Sequence, residues 1–494
     1  MAASSLLVGD LFRHHAQVVP AAPAVSLGAD VFTYAELNSA ANRVAAALRA
    51  EGVGHGDRVL MWADTALEVL PLFVALAKLG AVFAPLNAHY GAEEAAPVVE
   101  LARGRLLVSD AARTPAGREI AAAQQLPHLS FAELSDRAGR QPEDEIREPA
   151  LRETDPHVVF FTSGSTGRPK GVVLSHRVNW LRGFQGVFRD VPEISVCMFP
   201  LFHMAPFTLG LAAWHTRGEL ALVPAATADE LLAAVERRRA NRLYCIPAVW
   251  SRILAIDPAR YDTSSLREVD TGTSATPIEL VRALKERFPR TATRIYYGST
   301  EVGSATTLAD ADVLRKPGSV GVASPGVEVR LSHSSEICVR SPFLFDGYFE
   351  DAEATAAVLQ DGWFHTGDLG ALDSEGFLSV VGRVKELIRT GGESVAPAEV
   401  EEALASHPTV ADVAVVGLPD PEWGEVVCAF VVPTAGAEPT LAALQDHCGA
   451  TLAGFKKPRR LELAREIPRT AATGQIQRTL IVQQIVSTLP KELR

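Results

Sequence analysis

Short apolar runs alternate with amphipathic segments along the first three hundred residues. After Thr33, apolar side chains recur at helical spacing, and Glu36 three residues later predicts a capped helix start. Residues 58–62 and 81–86 are typical of short buried strands, with a predicted helix at 66–79 between them. This alternation predicts an α/β fold, with layers of helices packed on mainly parallel sheet.

The pattern changes character in the second half of the chain. Residues 318–348 are short strand-like runs punctuated by glycine and proline, which predicts a small β-rich subdomain at about 310–382. The helix and strand pattern then restarts. We therefore expect a large N-terminal domain of layered α/β sheets over 1–382 and a small mobile α+β C-terminal lid over 383–494. The polar, acidic stretch at 110–155 is expected to be a surface connection.

Composition excludes several classes of protein. The chain has 494 residues, 47% of them hydrophobic and 21% charged, so it has enough apolar area to bury and is not a disordered chain. The formal net charge of −12 offers no basic surface to a nucleic acid. Five scattered cysteines without a CxxC pair favour reduced thiols. Residues 1–9 do not resemble a signal peptide, and the longest apolar stretch is too short and interrupted to span a bilayer. We expect a cytoplasmic protein without a membrane span.

The strongest local motif is a loop rich in glycine and hydroxyl groups. Residues 158–161 and 171–174 are strand-like on either side of it. Successive backbone N–H groups and hydroxyls in such a loop can bind an anion, but a plain turn between two strands fits the composition equally well. The spacing is not that of a Walker A loop. The candidate phosphate-binding residues are Thr162, Ser163, Gly164, Ser165, Thr166, Gly167 and Lys170.

The sequence TSGSTGRPKGV at 162–172 resembles the phosphate-loop motif of the AMP-forming adenylating enzymes. That family comprises acyl-CoA synthetases, peptide-synthetase adenylation domains and firefly-type luciferases. Other motifs of the family follow in order as far as about residue 478, so the resemblance covers almost the whole chain. It implies ATP and Mg²⁺ as cofactors and, for an acyl- or aryl-CoA ligase, CoA as the acceptor.

The sequence YGSTE at 297–301 resembles the YGxTE motif of the same family. A carboxylate is a hard oxygen ligand that suits Mg²⁺, and the resemblance implies Glu301 in this role together with Thr166. It also implies that Thr300 binds the α-phosphate and that Tyr297 stacks on adenine. The nucleotide-site residues from this motif are Tyr297, Gly298, Ser299 and Thr300.

Three further motifs complete the nucleotide side and the lid. DGWFHTGD at 361–368 resembles the GWxxTGD motif, which implies that Asp368 accepts hydrogen bonds from the ribose hydroxyls. Arg383 is implied to reach ribose or phosphate, and Lys385 occupies the hinge position, where an ordinary surface lysine is the alternative. GGES at 391–394 resembles the loop of the pantetheine tunnel, but relatives that do not use CoA share this loop.

Two motifs lie on the acyl side of the expected site. FPLFH at 199–203 resembles the motif whose histidine lies near the acyl carboxylate, and a buried core histidine is the alternative for His203. TGTSATP at 271–277 occupies the stretch that lines the acyl and adenine pockets in relatives, with Thr273 where many have glycine, followed by Ser274. The added bulk and hydroxyl favour a short or polar substrate, unless Thr273 points elsewhere.

The chain departs from the family at a lid position. IPRTAATGQIQR at 467–478 resembles a motif in which a lysine bridges the acyl carboxylate, ribose and α-phosphate, but this chain has Gln475 and one extra residue in the loop. Loss of that charge is expected to cost about 10²–10³ in rate. Three explanations remain open: Lys456, Lys457 or Lys170 supplies the charge, the chain is a specialist, or the substitution is deliberate and mimics a neutralised lysine.

The leading hypothesis is an AMP-forming ligase that activates a carboxylic acid as acyl-AMP and transfers it to CoA. The residues assigned to catalysis are Thr166, His203, Glu301, Lys385 and Gln475. No GxSxG elbow or Cys/His pair offers a protein nucleophile. Alternatives are transfer to a carrier protein or an amine, activation of nitrite to diazotise an aryl amine, and a nucleotide-binding homologue with impaired catalysis.

Overall fold

The computed structural model of the chain describes nearly all of its length. The described residues are 6–163, 169–184, 191–391, 393–449, 452–470 and 474–488. The helices in these ranges, in chain order, are α1 (Val8–Val18), α2 (Tyr34–Ala50), α3 (Val69–Leu79), α4 (Ala92–Ala102), α5 (Thr114–Ala123), α6 (Phe131–Gly139), α7 (His176–Gly183), α8 (Met204–His215), α9 (Ala228–Arg238), α10 (Pro247–Leu254), α11 (Ile278–Arg287), α12 (Ala352–Val358), α13 (Pro397–Ala405), α14 (Leu441–Cys448) and α15 (Arg478–Thr488).

Strands occur throughout the chain. In chain order they are β1 (Pro23–Leu27), β2 (Asp30–Thr33), β3 (Arg58–Trp62), β4 (Val82–Pro85), β5 (Leu106–Ser109), β6 (His128–Ser130), β7 (Pro156–Ser163), β8 (Pro169–Ser175), β9 (Ile194–Cys197), β10 (Glu219–Leu222), β11 (Arg242–Tyr244), β12 (Glu268–Gly272), β13 (Ala292–Ser299), β14 (Gly303–Leu308), β15 (Ser319–Ala323), β16 (Glu328–Leu331), β17 (Glu336–Arg340), β18 (Gly347–Tyr348), β19 (Leu359–Gln360), β20 (Trp363–Leu372), β21 (Leu378–Arg383), β22 (Ile388–Thr390), β23 (Glu393–Val395), β24 (Val410–Asp420), β25 (Gly424–Pro433) and β26 (Arg460–Leu463).

Two large sheets share one hydrophobic core. One sheet has the order β18-β8-β7-β4-β3-β5-β6, and the other has the order β16-β17-β20-β21-β15-β14-β13-β12-β11-β9-β10-β1-β2, with β19 paired to β20. Helices α3 and α8 connect the layers, because Phe73 of α3 packs on Phe83 of β4 and on Phe207 of α8 at ring distances of 5.6 and 4.5 Å. The predicted α/β class, with layered sheets in the larger part, is confirmed.

The parallel strands of the second sheet determine which of its edges can carry a ligand site. Strands β1, β10, β9, β11, β12 and β13 run parallel, so the loops that follow β11, β12 and β13 all leave the same edge. Ligand sites in parallel sheets form at the carboxyl ends of the strands. Beyond β13 the sheet is antiparallel and continues through β15 into β21 and β20.

The C-terminal part has its own sheet. Strands β23, β22, β25 and β24 pair in that order, and β26 lies parallel to β25. Helices α13 and α14 pack on one face, with Val400, Leu404 and Leu444 buried, and α15 packs on the other face through Ile481 and Ile485. The chain enters this part from Arg383 at the end of β21, through a 3-10 turn at Val384–Glu386.

One expectation for the N-terminal part is wrong. Residues 110–155 are not merely a surface connection, because they contain α5, β6 and α6. Strand β6 pairs with β5, and Leu129, Leu134 and Ala138 are buried against it. A local signal was present, since the Ser130 hydroxyl accepts from the Glu133 backbone N–H, as in the capping box at Thr33 and Glu36.

Two negative findings concern the described residues. None of the helices in those ranges combines the length and apolar character that crossing a membrane requires. All five cysteines are free and buried.

Candidate active site

The glycine-rich motif connects two strands of a hairpin. Strands β7 and β8 pair antiparallel from Pro156 opposite Ser175 to Ser163 opposite Pro169, with Thr162 opposite Lys170. This is the strand–loop–strand arrangement that the flanking apolar runs predicted. The predicted Gly164, Ser165, Thr166 and Gly167, and the side chain of Ser163, lie outside the described residues.

Lys170 and Glu301 are linked through one tyrosine. The Lys170 ammonium lies 4.5 Å from the centre of the Tyr348 ring, and the Tyr348 hydroxyl donates to Glu301 Oε1 at 3.1 Å. The Ser299 hydroxyl donates to Glu301 Oε2 at 2.8 Å. Strand β8 and the end of β13 therefore bring a cation and a carboxylate to one place, as expected for a site that holds a triphosphate.

A divalent cation fits the chemistry of this carboxylate. Glu301 is half-buried, and each of its oxygens accepts one hydrogen bond, which leaves lone pairs for a hard cation. Within the described ranges, no three His, Cys, Asp or Glu side chains form a metal-binding group. A cation held here would depend on the phosphates and water for most of its ligands.

The backbone around Glu301 is held by an arginine that sequence reasoning missed. Arg182 of α7 is 5% exposed. Its guanidinium donates to the carbonyl oxygens of Thr300 and Glu301 at 2.9 and 2.8 Å, and to that of Phe343 at 2.7 and 2.9 Å. Burial lowers the pKa of Arg182 to about 10, so it stays charged at neutral pH. The Arg182 guanidinium therefore holds the backbone of the segment that carries Thr300 and Glu301.

A second cluster joins the two motifs predicted to bind the nucleoside. The Tyr297 hydroxyl donates to Asp368 Oδ2 at 2.7 Å, and Arg383 Nε donates to Asp368 Oδ1 at 3.1 Å. Burial raises the pKa of both Tyr297 and Asp368. Gly298 follows Tyr297 at a close approach, because a Cβ atom there would lie 1.8 Å from the carbonyl oxygen of Gly303. These contacts bring β13, β20 and β21 together.

The acyl-side motifs lie at the ends of β9 and β12. His203 immediately precedes α8 without a side-chain capping hydrogen bond, and burial lowers its pKa to about 4, so it is neutral at neutral pH. Its Nε2 atom makes no hydrogen bond within the described residues. Thr273 is exposed at φ +67°, and its hydroxyl donates to the carbonyl oxygen of Gly272 at 2.6 Å. Ser274 beside it is half-buried.

The loop that carries Gln475 reaches the large part of the chain. Backbone groups of Thr470 and Gln475 bond at 2.8 Å, and a Cβ atom on Gly474 would lie 3.4 Å from Ile246 just after β11. The Gln475 side chain is exposed. Lys456, one candidate to replace the missing charge, is bound to Glu399 in an ion pair. Lys385 lies in the Val384–Glu386 turn next to Arg383.

Comparison with known proteins gives a consistent result. The profile described as "AMP-binding enzyme" matches residues 12–349, and that described as "AMP-binding enzyme C-terminal domain" matches residues 399–473. The chain is 34% identical over 490 residues to the indoleacetate–CoA ligase of Aromatoleum aromaticum, covering 92% of this chain and 94% of that protein. It is 36% identical over 498 residues to a feruloyl-CoA synthase of an Amycolatopsis species, covering 93% and 95%.

Solved structures agree with the sequence relatives. The structure of ATP-bound MatB from Rhodopseudomonas palustris superposes with a TM-score of 0.87 at 29% identity, covering 96% of this chain and 98% of that one. The fatty acyl CoA synthetase of Mycobacterium tuberculosis gives a TM-score of 0.80 at 29% identity, covering 98% and 99%.

Proposed function

The chain belongs to the AMP-binding enzyme family and is an AMP-forming acid–thiol ligase, and from this premise we propose how its own residues act. In the first step a carboxylate oxygen of the acid forms a bond to the α-phosphorus of ATP, and the bond to the β-phosphate breaks, releasing pyrophosphate. In the second step the CoA sulfur bonds to the acyl carbon, AMP leaves with the bonding electrons, and the thiol proton passes to solvent.

The observation that carries this proposal is the pair of linked clusters on β13. Tyr297 on this strand is bound to Asp368, while Ser299, two residues on, is bound to Glu301 beside Lys170. This arrangement supports a nucleoside site and a phosphate site next to one another on β13. We assign Asp368 and Arg383 to the ribose side.

The triphosphate is assigned to the hairpin and to the segment after β13. Thr162, Lys170 and Thr300 lie there, with Ser163 to Gly167 between the hairpin strands. A magnesium ion bound with ATP offsets phosphate charge, and Glu301 is the described residue that would hold it. The role of the protein is to align the acid with the α-phosphate. It accelerates adenylation by positioning the reactants and by presenting fixed dipoles.

We propose that adenylation proceeds with the neutral amide of Gln475 where relatives carry a lysine charge. The loop reaches the body at Ile246, so the amide can donate hydrogen bonds near the acyl side. An amide stabilises developing phosphate charge less than an ammonium does. Because Lys456 is paired with Glu399, it is a poor substitute for that charge.

The experiment is ATP–pyrophosphate exchange with the wild type, Gln475→Lys and Gln477→Lys. Gln477→Lys adds the same charge two residues away and serves as the matched control. We expect measurable exchange with a carboxylic acid in the wild type and a rise of about 10²–10³ in Gln475→Lys only. No exchange in the wild type with any carboxylic acid would refute the proposal, and exchange with nitrite alone would favour the diazotising alternative.

The acceptor is tested in the second half-reaction. Acyl-AMP formed on the enzyme is mixed with CoA, with a phosphopantetheinylated carrier protein or with an amine, and the acyl product is measured. Thioester formation with CoA is expected. Transfer only to the carrier protein or the amine would contradict the CoA assignment while leaving adenylation in place.

A further inference from the structure

Two tyrosines lie on one face of the parallel sheet, below the acyl-side motifs. Tyr244 on β11 is opposite Asp270 of β12, and Gly272 of β12 is opposite Tyr296 of β13. Paired residues of neighbouring strands, and residues two apart on one strand, share a face. Tyr244, Gly272 and Tyr296 therefore face the same side, and the two tyrosine rings lie 6.1 Å apart.

The Tyr244 hydroxyl points at the wall that precedes Thr273. A Cβ atom on Gly272 would lie 2.5 Å from this hydroxyl, so the phenol covers the glycine directly. No hydrogen bond joins the Tyr244 hydroxyl to another of the described residues, and Tyr244 as a whole is partly exposed. Burial raises its pKa, so it stays a neutral donor and acceptor. A phenol hydroxyl that is open to solvent can exchange its water partner for a polar group of a bound molecule.

The acyl-side segments meet around this hydroxyl. Phe199, the first residue of the FPLFH motif, lies 5.6 Å from the Tyr244 ring. Ile246, two residues after Tyr244, lies next to Gly474 of the lid loop, since a Cβ atom on that glycine would be 3.4 Å away. Tyr244 thus lies where the histidine motif, the threonine-rich wall and the Gln475 loop converge.

The floor beneath the rings is closed and carries no surplus of positive charge. The guanidinium of Arg242 bonds to Asp270 at 2.6 Å and reaches the Tyr296 hydroxyl at 3.5 Å. The linked ion pairs include two guanidinium groups and three carboxylates, and these are Arg242, Arg294, Glu193, Glu268 and Asp270. The Tyr296 hydroxyl accepts from Arg242, whereas no hydrogen bond joins the Tyr244 hydroxyl to the described residues of this network.

We infer that Tyr244 is a specificity-determining residue that selects a short aromatic acid bearing a hydroxyl or amino group on its ring. The inference rests on the proposed acyl-AMP chemistry, which fixes the carboxylate end of the acid near Gln475. A flat aromatic ring of the acid packs against the cluster formed by Phe199, Tyr244 and Tyr296, whose rings lie 5.6 and 6.1 Å apart. The ring substituent bonds to the Tyr244 hydroxyl, the closed floor excludes long chains, and the charge network offers no partner to a second carboxylate.

The test compares acids in the wild type and Tyr244→Phe, which removes the hydroxyl and keeps the ring. The probes are 3- and 4-hydroxybenzoate, 3- and 4-aminobenzoate, benzoate and hexanoate, and the readout is kcat/KM for AMP formation. We expect at least one substituted benzoate to exceed benzoate by about 10- to 100-fold in the wild type. In Tyr244→Phe that ratio falls at least tenfold, and kcat/KM for benzoate stays within about threefold.

Tyr261→Phe is the matched control, because its hydroxyl bonds to Asp229 on the periphery, 2.8 Å away. It should leave the ratio unchanged. An unchanged ratio in Tyr244→Phe, or a wild type that prefers hexanoate, overturns the inference and leaves the ligase function intact. If no acid yields AMP, the proposed function fails. In that case, the affinities of the wild type and Tyr244→Phe for the hydroxybenzoates are compared by calorimetry. Equal affinities overturn the inference about Tyr244.

Discussion

Replacement of Arg182 by methionine tests how the phosphate end of the site is built. The guanidinium is 5% exposed and donates to the carbonyl oxygens of Thr300, Glu301 and Phe343. Methionine fills a similar volume but donates nothing. The carbonyl oxygens of Thr300 and Phe343 then lose the guanidinium, whereas that of Glu301 keeps the Phe345 backbone N–H at 2.8 Å.

The magnitude follows from the acceptors at Thr300 and Phe343. A buried polar group left without a partner costs about 1–3 kcal/mol, and relaxation lets water recover part of this. We therefore expect Arg182→Met to lower the free energy of unfolding by about 3–5 kcal/mol. Arg182→Lys retains one ammonium with three donors, so it should lose roughly half as much.

The assay combines denaturant unfolding with steady-state kinetics. Because Arg182 holds the segment that presents Glu301, the KM for MgATP should rise about tenfold in Arg182→Met under conditions where the protein is folded. Arg177→Met on the same helix is the control, since Arg177 is half exposed and its nearest carboxylate, Glu153, is 4.0 Å away. A loss below about 1 kcal/mol together with an unchanged KM would refute this reasoning.

Three further predictions follow from the same geometry. Asp368→Ala should weaken ATP binding by about 10- to 100-fold in a calorimetric titration, and unchanged affinity would remove Asp368 from the ribose site. Glu301→Ala should raise the Mg²⁺ concentration needed for half-maximal pyrophosphate exchange by about tenfold, and an identical Mg²⁺ dependence would contradict its role. Burial lowers the pKa of His176 and His203 to about 4 and that of His157 well below its ordinary value. The unfolded chain takes up these protons near pH 6.5, so stability should fall as pH drops from 6.5 towards 4, by about 2 kcal/mol per such histidine at pH 5. Melting temperatures that stay constant from pH 7.5 to 5 would contradict this.

Structural features that depend on residues close together in the sequence could be predicted. The capping box at Thr33 and Glu36 and the hairpin around the glycine-rich loop are encoded within a few residues. The β6 region was missed because its buried side chains are few and widely spaced. Only pairing with β5 makes them part of the core.

The candidate site depends on contacts across long sequence separations, and those could not be predicted. Arg182 and Thr300 are 118 residues apart, and Arg182 and Phe343 are 161 apart. Nothing in the local sequence around Arg182 distinguishes it from a surface arginine. Motifs indicated Tyr297, Asp368 and Glu301 by resemblance, whereas Tyr244 and Tyr348 became visible only when the strand order placed them beside those motifs.

The junction at Arg383 has a consequence for how the molecule can be divided. Strand β21 is paired with β15 at its beginning and with β20 up to its last residue, and the next strand belongs to the C-terminal sheet. A splice placed at residue 384 leaves every ladder of both sheets uncut. We therefore expect the two parts to be exchangeable with those of related ligases, so that a C-terminal part carrying lysine in place of Gln475 could be joined to this N-terminal part in one step.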